Sequence, residues 1–347
     1  MLSRKVEEEL LQRLKTGVYS AGEKLPSIRE MCEEFRCSYV IAFRAIQALK
    51  EQGCLETVKG SGTYVARDLQ KHLEKKLLVY IFDKPDSRFL NPQDSLRYTC
   101  FQRIVRKSGF MDLALQEEDV LNPEELSEVA GALITLRSPM TEELIARKVP
   151  CVFISSLGNH YGMPSVTPDF YQGAALVIRH LIDTGARRMY ALTIDSQEFN
   201  QASYLPRLQA YREVMKEAGL PVYPPLEWNI RKPGNRERLR DVMQSAEAPD
   251  AIFASNDKLA VELQHELNRM GISVPKDIRI AGLENQEFCY GSLPPLTTAE
   301  FDNTELVQTA CASLLNMIHH PGRIPASVKI PMSLILREST FSQIPIA

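Results

Sequence analysis

Leu25-Pro26-Ser27-Ile28-Arg29-Glu30 and the run that follows it to Ala66 decide the reading of this 347-residue chain. Ser27 can accept a hydrogen bond from the backbone N–H three residues on, and Glu30 stands where a side chain reaches back to close a capping box. The spacing therefore predicts a helix from Ile28. Ile28, Met31 and Phe35 give it one apolar face, and the pattern breaks at Arg36-Cys37-Ser38. Ser38 is a second N-cap candidate. From Tyr39 the apolar residues Ala42, Ala45, Ile46 and Leu49 recur at helical spacing until Gly53, the residue type favoured just past a helix end. Two short helices so joined make a helix-turn-helix. Leu55-Glu56-Thr57-Val58 and Thr63-Tyr64-Val65 are β-type runs linked by Lys59-Gly60-Ser61-Gly62, which reads as a hairpin or wing.

In this order and spacing, from about Val6 to Val65, the motifs resemble the winged helix-turn-helix of the GntR family of bacterial transcription regulators. The resemblance implies that the second helix of the motif enters the major groove of DNA, that the arginine of the first helix grips backbone or base, and that the wing tip approaches the minor groove. By position these roles fall on Arg29, Ser38, Tyr39, Arg44, Lys59 and Gly60. The chain also departs from the family, whose members usually follow the capping residue with Arg, Thr and another Arg one turn on. Tyr39, Val40, Ile41 and Phe43 hold those places here. Aromatic and β-branched groups can touch thymine methyls but do not make the bidentate pairs that read guanine, so base preference shifts or affinity falls. The bland alternative is a helix-turn-helix used only for packing or dimerisation.

Around this head, Val6, Leu10, Leu11 and Leu14 predict a first helix ending near Gly17, packed behind the motif. The polar run Arg67 to Lys76 reads as a linker or surface helix. It places a boundary between a head of residues 1–67, a linker of 68–75 and a larger domain of 76–347. The formal charge of −3 looks wrong for a nucleic-acid binder until it is divided. Through Arg67 there are eleven Lys or Arg against nine Asp or Glu, a net of +2, while the remainder carries 30 and 35, a net of −5. A basic face is enough for counterion release, with Glu7, Glu8 and Glu9 able to point elsewhere.

Composition, with 44% hydrophobic and 24% charged residues, is that of a globular protein with ample core. No run of 18 apolar residues occurs and the first residues lack the features of a signal peptide, so a cytoplasmic protein without membrane contact is expected. Seven cysteines without a Cys-x-x-Cys spacing fit reduced thiols rather than zinc or a disulfide framework. Cys32 and Cys37 invite a redox switch, set against small apolar fillers.

From Leu77 the grammar changes. Strands are expected at 77–82, 110–115, 132–136 and 151–155, with helices at 95–107, 124–129 and 141–147 between them. A second series follows: helices at 171–183, 204–218, 236–246 and 258–270 alternate with strands at 189–194, 226–230, 251–255 and 278–283. Such alternation means α/β layers with parallel sheets. Two series in tandem suggest two lobes, about 76–160 with 300–325 and about 165–298 with 328–340. No Gly-x-Gly-x-x-Gly follows a strand, which argues against a dinucleotide enzyme.

Ordered motifs in this part include His180-Leu181-Ile182-Asp183-Thr184-Gly185, Arg207-Leu208-Gln209-Ala210-Tyr211, Asp250-Ala251-Ile252-Phe253-Ala254-Ser255-Asn256-Asp257, Ala281-Gly282-Leu283-Glu284 and Leu336-Arg337-Glu338-Ser339-Thr340. Over about Lys76 to Thr340 the chain is similar to the effector domain of LacI-type repressors. That resemblance implies a periplasmic-binding-protein-like clamshell closing on a sugar, nucleoside or similar ligand, without cofactor or metal. Arg207 matches the family's cleft arginine, a rigid fork suited to hydroxyls or a carboxylate, or else is a surface arginine on an amphipathic helix. Asn256, at the carboxyl end of a strand, faces the crevice where open α/β sheets bind ligands or merely caps the next helix. Glu284 stands where the family usually has Asp, and Ser155 replaces another usual Asp. Trp228, the sole tryptophan, stacks on a sugar or packs in the core, with the core favoured. Arg231 and Lys232 lie in the loop after it, and the histidines form no metal or triad set.

The reading is a non-enzymatic regulator, a repressor whose affinity for double-stranded operator DNA is changed by a sugar-like effector in the interlobe cleft. A homodimer would present two heads to a two-fold operator. The runner-up is a non-enzymatic small-molecule binding protein with a weak or degenerate DNA head. An enzyme would need a nucleophile with its base or a cofactor loop. An exported binding protein would need no head.

Overall fold

The computed structural model describes residues 2–58, 60–67, 69, 77–82, 92–155, 158–194, 204–228 and 234–341. Helix α1 (Leu2–Lys15) buries Val6, Leu10 and Leu14 against the helix-turn-helix. Helix α2 (Ile28–Glu34) starts at the predicted residue and carries the predicted capping box: the Glu30 N–H donates to Ser27 Oγ at 3.3 Å, and the Ser27 N–H donates to Glu30 Oε2 at 2.7 Å. Helix α3 (Tyr39–Glu51) turns Ala42, Ala45, Ile46 and Leu49 inward, and Gly53 follows it at φ +74°. Strands β1 (Leu55–Val58) and β2 (Gly62–Val65) pair antiparallel, Leu55 opposite Val65 and Val58 opposite Gly62, as the wing.

The chain packs as two compact units. The first comprises Met1–Lys84, Tyr98–Cys151 and Cys311–Arg323, and the second Pro85–Arg97, Val152–Ala310 and Ile324–Ala347. The first thus holds the head together with a parallel sheet in which β3 (Leu77–Ile81) lies between β4 (Met111–Leu115) and β5 (Val129–Ile134); β6 (Cys151–Phe153) follows β5. Leu78, Val79, Tyr80 and Ile81 are all buried, as a strand covered on both faces must be. Helix α4 (Pro92–Lys107) and the short α5 (Pro123–Ser127) begin at prolines, whose missing N–H costs nothing in a first turn. Val129, read from sequence as the end of a helix, is the first residue of β5 because it pairs with Leu77 in the ladder. The apolar run 129–134 fits either period, and the sheet decides. Helix α6 (Pro139–Ala146) leads to β6.

In the second unit α7 (Gly158–Tyr161) and β7 (Val166–Pro168) precede α8 (Phe170–Asp183). The alternation that follows is β8 (Met189–Ile194), α9 (Leu205–Glu217), β9 (Leu226–Trp228), α10 (Asn235–Gln244), β10 (Ala251–Ala254), α11 (Asp257–Arg269) and β11 (Arg279–Ala281). The strands form one parallel sheet in the order β11-β10-β8-β9. Its core joins Leu192, Ile252, Leu263, Leu267 and Ile280, and Trp228 belongs to it, so the core reading of the tryptophan holds. Helices α12 (Phe288–Gly291) and α13 (Asn303–His319) and strands β12 (Thr298–Phe301), β13 (Val328–Ile330) and β14 (Met332–Ile335) complete the chain. Here β12 runs antiparallel to β14, and β13 parallel to β7. The α/β class with parallel sheets and an N-terminal helix-turn-helix is the one the alternation predicts.

All seven cysteines are free thiols. Among the described residues no helix is long and apolar enough to cross a membrane.

Candidate functional sites

The head presents one face of α3 to solvent. Residues 42, 45, 46 and 49 are inside, while 40 and 44 lie on the far side of the helix and 39 and 43 on the flank beside them, all four exposed. Tyr39 and Val40 are each 56% exposed and Phe43 is 41% exposed. The rings of Tyr39 and Phe43, one turn apart, stack with centroids 6.2 Å apart and planes 12° from parallel. Arg44 on the same face and Arg29 in the first turn of α2 are exposed. Arg36, at φ +47°, makes the turn between the helices.

Ser38 is the N-cap residue of α3, as expected from sequence, with extended backbone, but its hydroxyl makes no capping hydrogen bond. The position at the turn fixes the backbone; the residue at N3, Ile41, has no polar side chain to close a reciprocal box. At the wing tip Gly60 has φ +78°, a left-handed conformation that glycine adopts without steric cost, and a side chain there would meet nothing within 4 Å. Lys59 lies outside the described residues.

The second site is built where the strands of the β11-β10-β8-β9 sheet end. Ser255 and Asn256 follow β10, Glu284 follows β11, and Arg207 enters from the first turn of α9. Carboxyl ends of parallel strands are where open α/β sheets gather ligand groups. Arg207 is 2% exposed, so the alternative of a surface arginine fails. Its guanidinium donates to the Ser255 carbonyl and, at 2.7 Å, to Glu284 Oε1. It lies 3.9 Å from the ring centre of Phe170 and 4.6 Å from that of Tyr204. A desolvated cation between two aromatic faces gains from both ring quadrupoles. Arg207 Nε has no partner among the described residues, so the fork is not fully used.

Asn256 does both things the sequence left open. Its Oδ1 accepts from the Leu259 N–H at 2.9 Å, capping α11, and its Nδ2 donates to the Tyr204 hydroxyl at 3.1 Å, which ties it to the arginine cage. Burial raises the Tyr204 phenol, and Glu284 adds to this while Arg207 opposes it, so the ring stays neutral and able to donate.

Glu284 is held by an unusual backbone. It has φ +107° and Asn285 has φ +53°, the first a costly conformation for a side chain of that size. The Glu284 N–H donates to the Ala299 carbonyl at 2.7 Å. Asn285 accepts from Arg337 at 2.7 Å and donates to Glu300 at 2.6 Å. These bonds over-determine the turn and fix the carboxylate toward Arg207.

Behind the turn, buried Asp257 accepts from the Thr298 hydroxyl at 2.6 Å and from the Gln286 N–H at 2.8 Å, and burial pushes its carboxyl up to about 6. Gly282 is required there, because a Cβ would meet Asp257 Oδ1 at 2.3 Å.

The structure thus brings together Arg207, Asn256 and Glu284. It does not join Ser155 to them by any hydrogen bond: that residue lies in the bend after β6 with its hydroxyl buried and unpartnered among the described residues. Sequence reading missed Phe170 and Tyr204. Tyr204 carried a signal, since it precedes Arg207 by three residues and shares its helix face; Phe170, distant in sequence, carried none. Arg231 and Lys232 lie outside the described residues. His180 bonds the Thr340 hydroxyl at 2.9 Å and burial lowers its pKa, a structural role. Among the described residues no group of three or more His, Cys, Asp or Glu could hold a metal.

Residues 2–65 match the bacterial regulatory proteins of the gntR family, and residues 178–340 match the periplasmic binding protein-like domain. The chain is 26% identical to the arabinose metabolism transcriptional repressor of Geobacillus stearothermophilus over 96% of both chains. It is 30% identical to the HTH-type transcriptional regulator GalR of Streptococcus thermophilus over 61% of this chain and 66% of that one. In fold it resembles a LacI family transcriptional regulator from Enterococcus faecium with bound ribose, at TM-score 0.60 and 23% identity, over 76% of this chain and 98% of that one. The chain therefore joins a GntR-family winged helix-turn-helix to a periplasmic-binding-protein-like effector domain of the LacI type.

Proposed function

We propose that the protein is a transcriptional repressor whose head, residues 1–67, binds operator DNA and whose effector part, residues 76–347, binds a sugar or sugar derivative that changes operator affinity. The observation that carries this reading is the caged Arg207–Glu284 pair at the strand ends of a chain that also bears a winged head. A cation fork and a carboxylate 2.7 Å apart offer donors and acceptors spaced for neighbouring hydroxyls, and the Phe170 and Tyr204 rings hold the fork in place. The names of the relatives, an arabinose repressor and a ribose-bound regulator among them, support a sugar. The reading includes no catalysis. It places the protein in the cytoplasm with DNA, as a homodimer with two heads. Arg29, Ser38, Tyr39, Arg44, Lys59 and Gly60 are its DNA-facing residues, and Arg207, Asn256, Glu284 and Ser155 its ligand-facing ones.

A ligand that takes over the bonds of Arg207 and Glu284 shifts the populations of the effector part by its differential affinity for them. By linkage, operator and ligand must change each other's affinity by the same factor. The test titrates the full chain against DNA upstream of its own gene at two salt concentrations, with and without sugars chosen by thermal shift. Affinity should fall steeply with salt, and a stabilising sugar should change it. Indifference to sequence, salt and sugar would overturn the proposal. Binding of sugar without any DNA affinity would favour the alternative, a binding protein with a degenerate head, for which the apolar face of α3 is the specific observation.

A further inference from the structure

Tyr39, Val40 and Phe43 are large, apolar and exposed within a single turn of α3, and two of them are stacked rings. Contiguous exposed apolar surface of this sort marks a contact. Their spacing along a helix that rises about 1.5 Å per residue makes a strip roughly 6 Å long, the height of about two base-pair steps. The Tyr39 and Phe43 rings lie nearly parallel, 6.2 Å between centroids, so they present one combined apolar surface. Arg44 on the same helix and Arg29 in the first turn of α2 are also exposed, which fits an occupant that is apolar where it meets α3 and carries anionic groups. In the major groove of B-DNA the C5 methyl of thymine is the apolar feature of the base edges, and phosphates line both rims.

Resting on the reading above, we propose that this head selects its operator by packing Tyr39, Val40 and Phe43 against thymine methyl groups in the major groove, with Arg29 and Arg44 on the flanking phosphates. Specificity then resides in apolar contact rather than in bidentate reading of guanine.

The test begins with selection of preferred sites from random duplexes by the full chain. Binding of the best site is then compared with the same duplex in which deoxyuridine replaces thymidine, so that only the methyl groups are lost. The selected sites should be enriched in thymine at each half-site. Uracil substitution should weaken binding about fourfold for each methyl contacted, the loss expected from exposing one buried carbon. In Phe43→Ala and Val40→Ala chains, uracil substitution should have a smaller effect or none, while the salt dependence stays unchanged. The proposal is overturned if the uracil duplex binds the unmodified chain as tightly as the thymine duplex while salt-dependent binding persists; the regulator reading then survives. Absence of any salt-dependent DNA binding sinks both. If Phe43→Ala instead changes the oligomeric state in sedimentation and uracil has no effect, the strip is a protein–protein contact and the proposal falls. The uracil comparison uses the unmodified chain, so it does not depend on any variant folding.

Discussion

The head and the second unit break the same rule in opposite directions. In the head, three large apolar side chains of α3 stand in solvent while its charges are exposed beside them. In the second unit, Arg207 and Asp257 are buried and the chain surrounds them with rings, carbonyls and hydroxyls. Hydrophobic residues inside and charges outside is the default that burial free energies enforce. In the proposed function the strip on α3 and the Arg207–Glu284 pair are the two inversions at which an outside partner is met. The partners implied are complementary: one surface awaits something apolar amid anions, the other something polar enough to share a cation and a carboxylate.

The comparison breaks most visibly if the buried charge proves dispensable. Glu284→Ala leaves the Arg207 guanidinium in its cage with only the Ser255 carbonyl and two rings. Removing one partner of a buried pair costs about 3 kcal/mol or somewhat more. Glu284 keeps 24% of its side chain exposed, which puts the loss near the low end of that range. Denaturant unfolding of the full chain should show it in the transition of the effector part. The double variant Arg207→Leu, Glu284→Leu should lose less than Glu284→Ala, because it removes the charge along with its partner. If all the chains unfold alike, the pair is not desolvated as described. Both variants should abolish the stabilisation by sugar.

Asp257 sharpens the same contrast through pH. Burial, and more weakly the nearby Glu284, raise its carboxyl to about 6, against the bonds from Thr298, the Gln286 N–H and the Cys289 thiol that favour the anion. The folded state therefore prefers the protonated form. That contribution is fully present below the ordinary carboxylate range near 4 and is lost as pH rises through about 6. Stability of the natural chain should decline across this window by about 3 kcal/mol relative to Asp257→Asn, whose side chain does not ionise. Groups held low, such as Glu30 in its capping box, act oppositely in both chains and cancel in the difference. Parallel unfolding curves for the two chains from pH 4 to 7 would show that the carboxyl ionises freely in its pocket.

Much of this was legible because it is local. Ser27 and Glu30 announce their capping box three residues apart, and strand β8 falls on Met189–Ile194 as its apolar run predicts. Arg207, Asn256 and Glu284 could be placed by motif because each stands at a strand end or first turn, positions the alternation defines. What could not be read depends on partners remote in sequence. Val129 is a strand residue only because Leu77 lies beside it. The positive φ of Glu284 depends on Arg337, Ala299 and Glu300, and Phe170 reaches Arg207 across 37 positions. Ser38 shows a subtler limit: the residue type and backbone of a cap are present without the hydrogen bond that usually accompanies them.

The smallest expected effect tests the other half of the contrast. If the apolar strip of α3 is displayed for a partner, shortening it should scarcely alter the stability of the DNA-free protein. Phe43→Ala removes a ring that is 41% exposed and whose resolved ring contact is the exposed Tyr39, so little buried area is lost. Alanine also has the higher helix propensity, by a few tenths of a kcal/mol, which offsets part of that loss. The net change should lie within about 0.5 kcal/mol, as for surface positions generally. Met31→Ala is the internal standard: that side chain is fully buried in the head's core, and its truncation should cost about 2–5 kcal/mol. Thermal unfolding of the head in the three chains distinguishes the cases. A loss in Phe43→Ala approaching that of Met31→Ala would mean that the strip holds the helix in place, and exposure on α3 would then be a packing compromise. A near-zero change would leave the outward apolar face without a structural purpose, and recognition becomes the remaining physical reason for keeping it.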